Sequence, residues 1–324
     1  MSAAPRLCIV SPNRNAWSET FIANHIAHLP GVDLTLTDGH LPKRDIEGEL
    51  LLAPTLLKRV IQRVRKADPQ ELLRGTIARL LKKHRIEVVL AEYGPTGEAM
   101  LDVCQRAGIP LVVHFHGIDA FHTRLLKENA NYQRIFKGAA SIVVVSREME
   151  HQLLALGCPR AKLHYNCYGI EVDRFTAAQP ADSPKHFLAV GRFVDKKAPH
   201  LTLQAFHAAW LRDPALRLTM AGDGPLWEST KQLAQAEGLA DVVDFPGVIT
   251  SDQVAERMRK VRAFVQHSVV TAENDHEGTP LSILEAMASG LPVIATRHAG
   301  IPDVIDHSVE GLLCDERDIA GMGT

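Results

Sequence analysis

The stretch Glu277-Gly-Thr-Pro-Leu-Ser-Ile-Leu-Glu-Ala-Met-Ala-Ser-Gly290 contains the start and stop signals of one helix. Thr279 is a good N-cap, and Pro280 fits the first helical position, where a missing N–H costs nothing. Gly290 is a typical helix stop, and a proline follows it two residues later. We therefore predict a helix from about Pro280 to Ser289. Its inward face should carry three residues spaced at i, i+3 and i+7: Leu281, Leu284 and Ala288.

The start of this helix is a predicted anion site. The unpaired N–H groups of a first turn and the helix dipole favour negative charge, and Gly278 lets a phosphate approach the backbone. Glu277 precedes the helix and Glu285 lies one turn beyond Leu281. The two carboxylates are thus placed to accept hydrogen bonds from sugar hydroxyls on either side of a diphosphate. Glutamates at this spacing are common, however. Glu277 could simply favour the positive end of the helix dipole, and Glu285 could be an ordinary surface residue.

Outward from this helix, short apolar runs alternate with helix-length segments along the whole chain. This alternation is typical of βαβ units, so we predict an α/β protein with parallel sheets covered by helices on both faces. The predicted strands are Arg6–Val10, Val32–Thr37, Glu87–Ala91, Leu111–Phe115, Ser141–Val145, Lys162–Tyr165, His186–Val190, Leu216–Ala221, Val242–Phe245, Ala263–Gln266 and Pro292–Ala295.

One segment interrupts the alternation and predicts two domains. Thr176–Lys185 is rich in Pro, Ala and Ser, as linkers are, and the βαβ pattern restarts at His186. A chain of 324 residues suits two domains of ordinary size. We therefore predict Rossmann-like domains over residues 1–178 and 186–324. Ligands of open α/β sheets tend to bind in a cleft, which we expect between the two domains.

Composition and missing motifs exclude several classes of protein. A net charge of −2 provides no overall attraction to nucleic acid. Five scattered cysteines indicate reduced thiols, and the N-terminus lacks the apolar core of a signal peptide, so we expect a cytoplasmic protein. No stretch is apolar for long enough to span a bilayer. The sequence also lacks a G-x-G-x-x-G after the first strand, a P-loop lysine motif and His/Cys clusters at metal-binding spacing.

Residues 43–85 form a locally basic region, with twelve Lys or Arg against five Asp or Glu. Apolar residues recur at helical spacing in Leu56–Lys66 and Ile77–Lys83. One interpretation is a pair of helices that makes peripheral contact with anionic lipid at the inner face of the membrane, or meets an anionic acceptor. The other is two helices that pack on the sheet and expose basic outer faces to solvent. The sequence leaves both open.

Several motifs in a fixed order resemble those of glycosyltransferase family 4. The family signature is Glu, seven residues, Glu, then Ala and a small-Gly-x-Pro-Val stretch, which Glu277–Thr296 reproduces. The match continues through Ala299–Ile305 and Gly311–Cys314. Upstream, Val190-Gly-Arg-Phe-Val-Asp-Lys-Lys197 and Ala221-Gly-Asp-Gly-Pro225 are similar to two further family elements. In the first half, Val145-Ser146 and Tyr168–Phe175 resemble segments that close the N-terminal domain.

The resemblance implies a GT-B fold and the retaining, metal-independent transfer of a sugar. The donor would be a UDP- or GDP-sugar, and the acceptor a glycan, a lipid-linked sugar or a small molecule. Relatives continue beyond Asp315–Asp318 with more helices, whereas this chain ends at Thr324. The expected fold is thus GT-B without the usual C-terminal helices.

The resemblance also assigns roles in the donor site. Arg192 and Lys197 would bind the diphosphate and stabilise charge on the leaving nucleotide. Glu285 would bind the ribose hydroxyls and Glu277 the transferred sugar, and Val248 would meet the base through its main chain. Sugar and phosphate would face the backbone of the helix start, which comprises Gly278, Thr279, Pro280 and Leu281.

In the first half, Leu111-Val-Val-His-Phe-His-Gly-Ile-Asp119 resembles the family's histidine loop, and the resemblance places His116 near the sugar and the acceptor. Alternation along the strand turns His114 away from Phe115, so we expect a structural role for His114. Asp119 is expected to orient a nearby group. Ser18 is the predicted N-cap of the first helix, in a loop without the family's glycine pair.

Two alternatives to a transferase stay open. One is a catalytically impaired, glycosyltransferase-like protein that binds nucleotide or serves as a partner subunit. The other is a GT-B epimerase that acts on a sugar nucleotide.

Overall fold

A computed structural model describes residues 4–14, 19–52 and 68–324. The chain divides into two compact units. The first unit comprises Met1–Val145 and Met149–Cys167, and the second comprises Ser146–Glu148 and Tyr168–Thr324.

The first unit contains one sheet of seven strands in the order β3-β2-β1-β4-β5-β6-β7. All pairs are parallel except β2–β3, which is antiparallel. The strands are β1 (Leu7–Val10), β2 (Val32–Thr37), β3 (Arg44–Asp45), β4 (Val88–Glu92), β5 (Leu111–His114), β6 (Ser141–Val144) and β7 (Leu163–Tyr165).

The second unit contains a sheet of six parallel strands in the order β10-β9-β8-β11-β12-β13. Within the unit this is the Rossmann order 3-2-1-4-5-6. The strands are β8 (His186–Val190), β9 (Arg217–Ala221), β10 (Val243–Gly247), β11 (Ala263–Gln266), β12 (Val293–Thr296) and β13 (Gly311–Cys314). Two Rossmann-like parallel sheets confirm the predicted α/β class.

Helices lie in most of the connections between parallel strands, and one more follows the last strand. In chain order they are α1 (Thr20–His28), α2 (Pro69–Lys83), α3 (Gly94–Ala107), α4 (Ile118–Phe121), α5 (Thr123–Glu128), α6 (Gln133–Gly138), α7 (Arg147–Ala155), α8 (Pro199–Trp210), α9 (Trp227–Ala236), α10 (Ser251–Met258), α11 (Leu281–Ala288) and α12 (Ile319–Gly323).

The predicted strands all form, although most have slightly different ends. The sequence analysis missed β3 and β13. β3 has only two residues, too few for a periodic pattern, and Gly311-Leu-Leu-Cys314 at the edge of the second sheet was assigned only to a motif. A strand is predicted from a run of apolar or alternating residues, and neither segment contains a run that is long or regular enough.

Thr176–Lys185 contains no helix or strand, as expected of a linker, yet it packs within the second unit. The N–H of Ala178 donates to the carbonyl of Ser289 (2.8 Å), and Ala178 lies in an apolar core with Phe175. The division at Cys167/Tyr168 therefore precedes the predicted end of the first domain at residue 178. The segment Tyr168–Phe175, expected to close the first domain, lies in the second unit.

Candidate functional site

Helix α11 and the loop before it form the centre of the candidate site. The helix starts at Leu281, one residue later than predicted, because Pro280 keeps an extended backbone (φ −64°, ψ 120°) and occupies the cap position. The prediction of Thr279 as N-cap was therefore wrong, and no side chain caps this helix. The predicted end is confirmed, since Ser289 is the C-cap and Gly290 adopts φ +71°.

The inward face of α11 also differs from the prediction. Ile283 and Ala286 are fully buried, in a core that includes Phe264 of β11 and Val293 of β12. The three residues predicted to face inward are only half-buried. Six of the eight helical residues are apolar, so the sequence offers two possible faces and only packing against the sheet selects one. Leu281 and Leu284 were wrongly assigned to the inward face, whereas Ala288 does pack against this core although it is only partly buried.

Glu277 and Lys197 form a buried ion pair, with Lys197 Nζ 3.4 Å from Glu277 Oε1. The side chain of Lys197 is 16% exposed and that of Glu277 is 9% exposed, so solvent screens the pair weakly. Burial acts to raise the pKa of Glu277, but the positive charges of Lys197 and Lys196 lower it overall. Burial lowers the pKa of Lys197, although Glu277 opposes the shift. At 3.4 Å the contact is longer than a strong charge-assisted hydrogen bond, so attraction between the charges dominates it.

Lys196 holds the same loop by a different contact, which the sequence analysis missed. Its Nζ donates to Asp275 Oδ1 and to the carbonyl of His276, both at 3.1 Å. Its own carbonyl accepts from the N–H of Val269 (2.9 Å). The two adjacent lysines thus have different contacts. Lys196 holds the backbone of the loop, and Lys197 pairs with the carboxylate of Glu277. The Lys-Lys dipeptide was visible in the sequence, but the family motif points to only one of the two.

Arg192 lines a cavity with Lys197 at the carboxyl end of β8. Arg192 is exposed, so its guanidinium group is accessible to an anionic ligand. A glycine turn supports this loop from behind: Gly222 and Gly224 have φ +139° and +154°. A Cβ on Gly222 would lie 1.8 Å from the carbonyl oxygen of Gly191. The residues that line the cavity also include Phe193, Thr202, Val265 and Gln266.

Glu285 lies on α11, one turn beyond the start of the helix, and is half-buried. Burial raises its pKa to about 7, and Arg174 only partly offsets the shift. The carboxylate is therefore costly to charge without a ligand. Val248 follows β10 and is 50% exposed, directly after Gly247 with φ +76°. Both were predicted to meet the nucleoside.

In the first unit, His116 belongs to a buried cluster around Glu92. His116 Nε2 lies 2.8 Å from Glu92 Oε2, and His25 Nδ1 lies 2.8 Å from Glu92 Oε1. The ring of His114 is centred 4.4 Å from that of His116, and its Nδ1 lies 3.6 Å from Glu92 Oε2. Burial acts to raise the pKa of Glu92, but the hydrogen bonds from His116 and His25 lower it well below its usual range. Sequence reasoning missed Glu92 and His25, although a charged residue that ends the apolar strand β4 was a usable signal.

Asp119 orients the main chain around this cluster, which confirms its predicted role. Its carboxylate accepts from the N–H of His116 (2.9 Å), Gly117 (3.2 Å) and Gly94 (2.8 Å). The carboxyl group thereby joins the loop after β5 to the start of α3. His116 is consequently held through both its backbone and its ring.

Among the described residues, His25, Glu92 and His114 form one group that could hold a metal ion, with ligand atoms within 4.8 Å of one another. Their spacing in sequence gave no sign of such a group. The oxygens of Glu92 already accept hydrogen bonds from His25 and His116. A metal here would have to displace the hydrogen bond from His25.

Two further predictions fall partly outside the described residues. Ser18 is one of these, although α1 starts at Thr20 with Glu19 at the cap. Leu56–Lys66, the most basic part of the 43–85 region, is the other. In the described part, Arg44 and Arg74 pair with acidic neighbours, and this gives a membrane contact no support. Over residues 4–14, 19–52 and 68–324 no helix combines the length and apolarity needed to cross a membrane.

Comparison with known proteins agrees with this arrangement. Residues 32–174 match the family model "Glycosyltransferase Family 4", and residues 173–322 match "Glycosyl transferases group 1". The crystal structure of Anabaena HepE in complex with UDP and glucose superposes with a TM-score of 0.75 at 16% identity, covering 99% of this chain and 88% of HepE. The likeness confirms the GT-B fold.

Two curated relatives are each 30% identical to the chain. One is the putative colanic acid biosynthesis glycosyltransferase WcaL of Escherichia coli, matched over 74% of this chain and 60% of WcaL. The other is the amylovoran biosynthesis glycosyltransferase AmsK of Erwinia amylovora, matched over 84% of this chain and 68% of AmsK. The chain thus spans about 60–68% of their length. The fold, the ordered motifs and these matches together show that the chain belongs to glycosyltransferase family 4.

Proposed function

We propose that this protein is a retaining glycosyltransferase, which moves a sugar from a nucleoside diphosphate to an acceptor hydroxyl in glycan or glycolipid synthesis. The observation that carries the proposal is the buried Lys197–Glu277 pair, whose carboxylate lies on the loop before α11. A cation, a carboxylate and the backbone N–H groups of a helix start are the groups that a sugar diphosphate needs. The names of WcaL and AmsK, which refer to glycosyltransferases of colanic acid and amylovoran biosynthesis, support the same class of reaction.

In this proposal the cations bind the diphosphate, and the carboxylates bind hydroxyls. Arg192 and Lys197 stabilise the negative charge that grows on the leaving phosphate. The backbone from Gly278 through Thr279 and Pro280 to Leu281 faces the phosphate and the sugar. Glu277 accepts a hydrogen bond from a sugar hydroxyl, because its lowered pKa keeps it ionised. His116 is the candidate contact for the sugar and the acceptor, and Val248 for the base.

The reaction that fits these groups is attack by the acceptor on the face from which the diphosphate departs. The leaving phosphate oxygen takes the acceptor proton. Glu277 suits binding better than nucleophilic attack, because Lys197 stabilises its negative charge. The cations do the work that a metal does in other transferases, so we propose that turnover needs no metal and survives EDTA.

The direct test is a thermal-shift screen of UDP- and GDP-sugars, followed by a hydrolysis assay without acceptor. A bound donor stabilises the folded state by mass action, by about 2.7 kcal/mol at one hundred times its Kd. For a domain of this size that corresponds to a rise in Tm of roughly 5–10 °C. ATP and NAD serve as control nucleotides. A chain that binds no UDP or GDP derivative would contradict the proposal, and binding without hydrolysis or transfer would indicate an impaired enzyme.

Replacement of Glu285 by Gln should separate nucleotide binding from stability. The folded state retains the Glu285 proton up to about pH 7, whereas an unfolded glutamate releases it near 4.5, so wild-type stability falls as pH rises through this window. The variant should therefore be more stable at pH 8, by at most about 3 kcal/mol, and equal to wild type below pH 4.5. Donor affinity should rise between pH 6 and 8 in wild type, as the carboxylate forms for the ribose hydroxyls, and stay flat in the variant.

Urea unfolding and nucleotide titrations at pH 4.5, 6 and 8 measure both effects. Glu256→Gln is the control, since that carboxylate is exposed and pairs with Lys260 on the surface. Equal donor affinity of wild type and the Glu285 variant at pH 8 would exclude the ribose role.

A further inference from the structure

His298 uses both of its ring nitrogens in the second unit. It follows β12 and is 1% exposed. The N–H of Glu277 donates to His298 Nε2 (3.1 Å), and His298 Nδ1 lies 2.6 Å from Glu316 Oε1. The histidine therefore links a carboxylate at the end of the sheet to the backbone of the residue that pairs with Lys197.

These partners select one form of the ring. A backbone N–H can only donate, so Nε2 must accept and carries no proton. Nδ1 then carries the proton and donates it to the carboxylate of Glu316. An imidazolium, or the opposite neutral tautomer, would set an N–H of the ring against the N–H of Glu277. Only the neutral Nδ1–H form satisfies both contacts.

Glu316 is itself fixed, so it can hold the ring in place. Its Oε2 accepts from the N–H of Val270 (2.9 Å) and lies 3.5 Å from Arg317 Nη1. Arg317 Nη2 donates in turn to the carbonyl of Val270 (2.8 Å). The carboxylate thus has defined partners on both oxygens, as the orienting group of a histidine requires.

Gly300, two residues after His298, contacts Gly278, the residue that follows Glu277 on the loop before α11. The N–H of Gly300 donates to the carbonyl of Gly278 (3.1 Å). A Cβ on Gly300 would lie 2.8 Å from that carbonyl oxygen and 2.5 Å from Thr279 Oγ1, so the two loops are in close contact. The backbone of two successive residues is therefore hydrogen-bonded to residues 298–300. The N–H of Glu277 donates to His298, and the carbonyl of Gly278 accepts from Gly300.

We infer that His298, held in its Nδ1–H form by Glu316, is a positioning residue that sets the backbone of Glu277 and thereby aims its carboxylate at Lys197 and the donor sugar. The effect on turnover rests on the proposed function, whereas the form of the ring and its hydrogen bonds do not. His298 touches no substrate in this scheme. It acts through Glu277.

Two substitutions separate its two nitrogens. In His298→Gln, the side-chain oxygen can reach the place of Nε2 and still accept from the N–H of Glu277. In His298→Asn, the amide stands in for Nδ1 and leaves that N–H without a partner, a costly change in a buried site. We expect kcat/KM for the donor to fall about tenfold or more in the Asn variant and to stay within about threefold of wild type in the Gln variant.

His307 provides a matched control. Its Nδ1 also accepts a backbone N–H, from Leu313 (3.0 Å), but on a different loop of the same unit. The matched change is His307→Gln, whose side-chain oxygen takes the place of Nε2 and leaves the N–H of Leu313 without this acceptor. This variant should lower stability without a comparable loss of kcat/KM. Equal losses in the Asn and Gln variants of His298, or none in either, would overturn the inference. So would a loss in His307→Gln as large as that in His298→Asn.

A spectroscopic measurement tests the inference without any turnover. In the full chain labelled with ¹⁵N-histidine, the His298 signals are assigned by their absence in His298→Gln. At pH 7.5 they should show a protonated Nδ1 and an unprotonated Nε2, and Glu316→Gln should weaken this preference. An Nε2–H or doubly protonated ring would overturn the inference. Failure of wild type to hydrolyse any donor would contradict the proposed function alone.

Discussion

Replacement of Lys197 by Met should lower kcat by a factor of about 10²–10³, which corresponds to the loss of one preorganised charge contact in the transition state. The ammonium group is buried beside Glu277, so water cannot replace it at the growing negative charge of the leaving phosphate. The KM for the donor should rise less than kcat falls, because this charge develops mainly in the transition state. Steady-state kinetics with saturating donor measure both constants.

The same substitution leaves Glu277 as a buried carboxylate without its nearest cation. Breaking a buried pair in this way typically costs about 3–5 kcal/mol, so loss of activity in the single variant could reflect unfolding. The double variant Lys197→Met/Glu277→Gln removes both charges and should recover most of the free energy of unfolding. It should not recover turnover. Lys260→Met, which removes an exposed lysine, is the control for a change of charge. Full turnover of Lys197→Met with saturating donor would contradict the assigned role.

The fold was largely predictable because buried parallel strands are continuous apolar runs. Ile142-Val-Val and Phe264-Val are apolar on both faces, which only a covered parallel sheet tolerates. The ends of elements were harder to predict. Pro280 is acceptable both in a first turn and in an extended cap, and only the packed structure shows that α11 starts at Leu281.

The residues of the candidate donor site that belong to family motifs could be predicted from the sequence. Lys197 and Glu277, which the motifs assign to one donor site, lie in contact. Their support was not visible, because Lys196, His298 and Glu316 hold the loop through main-chain atoms or through each other. A backbone contact leaves no pattern of residue types, so no spacing rule could have found it.

The cluster in the first unit was invisible for another reason. His25, Glu92 and His114 come from one helix and two strands that are far apart in sequence, and only the crossovers of the sheet bring them together. A chain with 16 histidines offers too many candidates for such a group to stand out. Yet the cluster contains a fully buried carboxylate, and its removal should have the largest effect on the stability of the first unit.

Replacement of Glu92 by Ala should lower the free energy of unfolding of the first unit by about 3–5 kcal/mol, the usual result of removing one partner from a buried charged network. His25 and His116 would lose the acceptor that each contacts at 2.8 Å. Glu92→Gln, which keeps the volume and one acceptor oxygen, should cost less, about 1–3 kcal/mol. Urea unfolding, followed by a probe in each unit because the two can unfold separately, measures the loss.

The pH dependence of this loss tests whether the charge of Glu92 is responsible. The folded pKa of Glu92 is lower than the unfolded value, so its contribution is present above the unfolded pKa of about 4.5 and is lost as pH falls below it. The groups that face it are the imidazoles of His25, His114 and His116. The difference between wild type and Glu92→Gln should therefore be present at pH 5 and shrink progressively as pH falls below about 4.5, since the Gln variant has no carboxylate to protonate. Glu128→Gln, which breaks the exposed pair with Arg124, should show almost no loss at any pH. A difference between wild type and Glu92→Gln that stayed unchanged between pH 5 and pH 3 would mean that packing, and not the buried charge, holds these histidines in place.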